Sequence, residues 1–76
     1  MEEKLKLIMA NVFGVKVEAI GEDASAHTVP GWDSLKHLDL VLALEKEFGI
    51  RFDDEEIPTL INFQIIISTL KAYQEQ

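Results

Sequence analysis

The sequence predicts an all-α domain: a small bundle of three longer helices plus one short helix, with a long ordered loop between the first and second helices. Three observations predict it. Apolar residues recur at i, i+3, i+4, i+7 near both ends of the chain, as Leu5, Ile8, Met9 and Val12 and again as Phe63, Ile66, Ile67 and Leu70. A capping residue (Asp33 or Ser34) and Gly49 bracket a third amphipathic stretch. The one alternating segment, Val15-Lys16-Val17-Glu18, has no second strand to pair with, and a single strand is not stable.

The first helix is expected over about 3–13. Glu2 and Glu3 sit where the helix dipole favours acids, and Gly14 is a natural stop. Residues 14–33 are expected as a loop pinned to the core by Val15, Val17 and Ile20, with turn markers at Gly21, Pro30 and Gly31. The second helix is expected over about 34–49. Leu35, Leu38, Val41, Leu42 and Phe48 are expected to form its wide apolar face, with Leu44 at the edge and Lys36, Asp39, Glu45 and Lys46 mostly opposite.

A short helix is expected over about 54–60, where Asp53 and Glu56 have capping-box spacing and Pro58 prevents a long regular helix. Asn62 is expected to cap the last helix, about 63–75. Its Ile65-Ile66-Ile67 run would also suit a strand, but length and cap favour helix.

Seventy-six residues predict one domain, 1–76, with one modest core. A composition of 47% hydrophobic and 28% charged residues is that of a folded chain, too small to enclose a deep substrate cavity. The net charge of −7 repels nucleic acid and anionic membrane surfaces and favours partners with basic patches. There is no cysteine, hence no disulfide and no thiolate metal site. The start, Met1-Glu2-Glu3-Lys4, lacks the basic and apolar runs of a signal peptide, and the longest apolar run is only Leu40 to Leu44. A cytoplasmic monomer without membrane insertion is therefore expected.

Ser34 is the residue that attracts chemistry. It follows Pro30-Gly31-Trp32-Asp33 at the start of the second helix, where free backbone N–H groups and the positive dipole end suit an attached phosphate. From the residues alone, Ser34 is either a covalent attachment point or simply a helix cap.

The surrounding residues carry a resemblance. Asp33-Ser34-Leu35, followed by Leu38, Leu40-Val41, Ala43-Leu44-Glu45, Glu47-Phe48-Gly49-Ile50 and Phe52, resembles the phosphopantetheine-attachment region of acyl carrier proteins. The likeness runs over the whole chain, through Asp53-Asp54-Glu55-Glu56 to the closing helix. It implies an acyl-carrier-like bundle that is not an enzyme. A phosphopantetheinyl transferase would move 4′-phosphopantetheine from coenzyme A onto Ser34, between Asp33 and Leu35. Acyl groups would then ride as thioesters on the thiol of that arm to acyl-loading, condensing or acyl-transfer enzymes. The working thiol would thus come from the cofactor.

Under the same resemblance Leu38, Leu42, Ile57, Leu60 and Ile61 are candidates for an acyl cleft, beside their plainer role as core. Eight acids and three bases between Asp33 and Glu56 leave that stretch at −5. Asp39, Glu45, Glu47 and Glu56 are the candidate partner contacts, since an acidic face gives fast, weak encounters with basic pockets. The chain departs from fatty-acid-synthesis carriers at Trp32, Lys36 and His37, where an acidic residue typically follows Asp-Ser-Leu. That departure puts Lys36 and His37 among the recognition residues and suggests a specialised pathway, such as a polyketide, modified-lipid, aminoacyl or surface-glycan route.

Competing readings are weaker on chemical grounds. Ser34 and His37 are three residues apart, but Asp33 is badly placed to orient the imidazole and no glycine-rich turn offers an oxyanion hole. The acids at 53–56 lack the spaced pattern of a calcium loop, so no specific metal is expected. A peptidyl or aminoacyl carrier would use the same arm. An acidic helical adaptor would use Ser34 only as a cap, and Ser34→Ala would then cost about 1 kcal/mol and spare function.

Overall fold

The computed structural model describes residues 1–74. Three α-helices form the bundle: α1, Glu2–Phe13; α2, Ser34–Phe48; and α3, Phe63–Gln74. The predicted end of the last helix at 75 lies outside the described residues. Helix α2 closes on Gly49 in the left-handed conformation (φ 64°), whose N–H bonds the Glu45 carbonyl. Asn62 caps α3 as expected: its Oδ1 accepts from the Ile65 N–H at 2.8 Å.

The core lies where the three helices meet. Leu5 and Met9 from α1, Leu40 and Leu44 from α2, Phe63, Ile66 and Leu70 from α3, and Leu60 just before α3 are all fully buried. Each deep side chain removes apolar area worth about 1.5–3 kcal/mol from water, so these few residues hold most of the fold.

The long connection between α1 and α2 is ordered because it borrows partners. Val17–Ala19 forms a short 3-10 helix, a turn that the expected loop did not include. Ile20 is buried and Val15 and Val17 pack against the core, as expected, but Ala24, Val29 and Trp32 are buried as well. Further on, Ala26 N–H bonds the Ile61 carbonyl and Phe63 N–H bonds the Ala24 carbonyl, both at 2.9 Å. This single antiparallel bridge, Ser25 to Asn62, pins the loop to the start of α3.

Two expectations need correction. The short helix expected over 54–60 is a turn followed by a 3-10 helix, Ile57–Thr59. The Pro58 ring would clash with the carbonyl four residues back in α-geometry, so the tighter winding is what remains. The apolar face of α2 was also misassigned. Leu40, Val41 and Leu44 face the core, whereas Leu35, Leu38 and Leu42 are 75%, 52% and 64% exposed. Counting from His37, the inner stripe is 37, 40, 41, 44, 48, a regular i, i+3, i+4, i+7, i+11 series. Reading His37 as a surface residue hid that stripe.

Candidate functional site

The N-terminal end of α2 is prepared by the loop before it. Gly31 takes φ 84°, a left-handed conformation that L side chains avoid, and so turns Trp32 inward. The Trp32 ring is buried and stacks on Phe13 of α1, with centroids 4.9 Å apart. The chain then emerges at Asp33, which is the N-cap: its Oδ1 accepts from the Lys36 N–H at 2.8 Å. Because Asp33 does the capping, the exposed Ser34 hydroxyl is not needed by the helix. The N–H groups of Ser34 and Leu35 have no acceptor within the helix, so positive partial charge surrounds the serine.

Beside Ser34 lies an open hollow of about 530 Å³. Trp32, His37, Leu38, Ile57, Pro58 and Ile61 supply most of its wall, with Asp33 and Ser34 at the rim. The lining is largely apolar. Of the five cleft candidates, Leu38, Ile57 and Ile61 therefore meet here. Leu42 points away into solvent and Leu60 is fully buried in the core, so neither lines the hollow.

The candidate recognition residues divide sharply. Lys36 and Asp39 are exposed on α2. Glu47 is exposed and pairs with Lys4 of α1 at 3.0 Å. Glu45 is half-buried and its Oε2 accepts from the Phe52 N–H at 2.9 Å, tying down the chain after α2. Glu56 Oε1 accepts from the Asp53 N–H at 3.0 Å and from the Tyr73 hydroxyl, joining the turn to α3. That bond to Glu56 is the main cause that raises the Tyr73 phenol above its ordinary 10.0, with burial and the nearby Glu56 and Asp53 charges adding to it.

His37 is turned from the exposed side of α2 toward the hollow. It is half-buried: the Trp32 Nε1–H donates to its Nδ1 at 3.0 Å, and its Nε2 lies 2.8 Å from the Ile57 carbonyl oxygen. This tie across the hollow was missed by sequence reasoning. The signal was available, since Trp32 and His37 are five residues apart and His37 falls on the inner stripe of α2.

Among the described residues no group of acids and histidines is arranged to hold a metal, and no helix is long and apolar enough to cross a membrane. A serine freed from capping, ringed by helix N–H groups and next to an apolar hollow, fits a phosphodiester-linked arm bearing an apolar cargo.

Comparison with known proteins agrees with that arrangement. A family described as "Phosphopantetheine attachment site" matches residues 3–63. The chain is also similar to an acyl carrier protein of Nitratidesulfovibrio vulgaris (strain DSM 19637 / Miyazaki F), with 35% identity over 74 residues, 97% of each chain.

Proposed function

Since the chain belongs to the acyl carrier protein family, the carriers with a phosphopantetheine attachment site, we propose that Ser34 Oγ is its attachment point. As a carrier the protein performs no catalysis. It holds acyl groups through 4′-phosphopantetheine and presents them to biosynthetic enzymes. The arm supplies the thiol on which the thioester forms, which this cysteine-free chain lacks.

The observation that carries the Ser34 assignment is the division of labour at the α2 start. Asp33 caps, and Ser34 is left exposed at the helix start, where its own N–H and that of Leu35 have no partner within the helix. Asp33 and Leu35 flank the linkage, Leu35 as an exposed contact for the modifying enzyme. Leu38, Ile57 and Ile61, with Trp32, would shelter the first part of an acyl chain. The outward stripe of Leu35, Leu38 and Leu42 starts at Ser34 and gives partner enzymes an apolar strip to cover. Lys36 and Asp39 beside it, and Glu47 near the end of α2, are the charged recognition candidates that the fold leaves exposed.

Lys36 also supports a specialised pathway over bulk fatty-acid synthesis, because a basic residue there disfavours enzymes built to meet an acid. Lys36→Asp should alter the rates with its own partners. Unchanged rates with every partner would sink the specialised-pathway reading.

The attachment test is intact-mass measurement after incubation with coenzyme A, magnesium and a broad-specificity phosphopantetheinyl transferase. The native chain gains one phosphopantetheinyl group and Ser34→Ala gains none. Modification of the Ser34→Ala chain would move the site elsewhere.

A further inference from the structure

Both ring nitrogens of His37 are committed, and their partners select one protonation state. The indole N–H of Trp32 can only donate, so Nδ1, 3.0 Å away, accepts and carries no proton. The Ile57 carbonyl can only accept, so Nε2, 2.8 Å away, is the protonated nitrogen and donates. The imidazole also lies nearly parallel to the indole, at 19° with centroids 6.1 Å apart. One neutral ring thus joins three walls of the hollow: the loop through Trp32, α2 through its own backbone, and the Ile57–Thr59 turn.

We propose that His37 is a proton-operated latch on the hollow beside Ser34. A proton taken from solvent by Nδ1 sets an N–H against the indole N–H. That bond is lost, and the donor of a buried Trp32 is left without its acceptor. The rings separate, and the wall between the Trp32 loop and α2 loosens, while Nε2–H keeps its donation to the Ile57 carbonyl. The closed bond exists only with Nδ1 unprotonated, so the latch is shut at higher pH and releases as pH falls.

The charged groups nearest the imidazole are exposed or engaged elsewhere. Asp33 is the one carboxylate at the rim, and it is turned to the Lys36 N–H. Lys36, on the same helix, is exposed. The Ile57–Thr59 turn brings no titratable side chain, and the Glu56 carboxylate before it is held by Asp53 and Tyr73. The α1 side presents Phe13, through its stack on Trp32. The consequence for cargo rests on the carrier reading: release of the latch would bare the floor on which an acyl chain attached at Ser34 would lie. The latch itself does not depend on that reading.

Trp32 is the sole tryptophan and His27 the only other histidine, so the test is direct. The unmodified full chain is titrated from about pH 8 to about pH 5, the span in which imidazoles protonate. Tryptophan fluorescence and the indole N–H resonance are followed in the native chain, His37→Gln and His27→Gln. Glutamine offers an oxygen acceptor and an N–H donor but does not titrate. A reversible step in the native chain and in His27→Gln, absent from His37→Gln, is expected. A flat native titration, or the same step in His37→Gln, would overturn the latch. Should His37→Gln not fold, the ring 15N shifts of native His37 decide. An unprotonated Nδ1 at the alkaline end supports the latch, and a protonated one overturns it. None of these readouts involves loading at Ser34, so failure of the latch and failure of the attachment site are separately visible.

Discussion

On the inner face of α2, Leu40 and Leu44 are fully buried and Val41 nearly so. On the outer face, Leu35, Leu38 and Leu42 are each more than half exposed. The two faces carry the same kind of side chain within one helix of 15 residues. The inner leucines remove apolar surface from water in the folded chain and so hold the bundle together. The outer ones leave that surface unburied, available to a partner that covers it. Leucine content therefore says little about which face is core. The side that also carries His37 and Phe48 at helical spacing is the side that packs.

The comparison is broken most strongly by removing an inner leucine. Leu40→Ala should lower the unfolding free energy by about 2–5 kcal/mol in urea titration, through lost burial and the cavity left behind. Asp33→Ala comes next, at about 1 kcal/mol, because it removes the α2 cap. Ser34→Ala should stay within about 0.5 kcal/mol of the native chain, since the serine does not cap. A cost as large as that of Asp33→Ala would show that Ser34 shares the capping. Leu42→Ala should likewise unfold within about 0.5 kcal/mol of the native chain while slowing acyl delivery to a partner enzyme. Equal delivery rates would remove Leu42 from the docking strip.

A pH prediction concerns the far end of the bundle. Tyr73 is the sole tyrosine, so its phenolate absorbance is unambiguous. Its pKa is raised above 10.0, first by the bond to Glu56. A raised folded value means that the tie contributes stability at all pH values below the unfolded phenol value. That contribution is lost as pH climbs through the folded value. Glu56→Ala should bring the phenol titration down toward 10.0. A titration unmoved by that substitution would show that burial and the Asp53 charge, not Glu56, raise it.

Local signals placed most of the frame. The Asn62 cap, the Gly49 stop and the stripes of α1 and α3 depend on residues within a turn of one another, and each lies where the sequence puts it. Glu56 to Asp53 followed its spacing too, although the helix expected after it tightened at Pro58. What failed was α2, where apolar residues occupy positions on both faces and periodicity admits two stripes. The roles of Glu45 and Glu56 were also hidden. Their partners, the Phe52 N–H and the Tyr73 hydroxyl, are seven and 17 residues away.

By itself, the sequence determined the helical class, the Gly49 stop and Asn62 cap, the family resemblance and the serine that follows Asp33, because each rests on local spacing. Only the tertiary structure decided which face of α2 is core, that the loop after α1 is stapled to residues 61–63, and that Trp32, His37 and Ile57 close around one hollow. The physical reason is that these depend on hydrogen bonds and packing between segments distant in the chain. A half-buried histidine with two internal partners and an exposed one look the same until those segments meet.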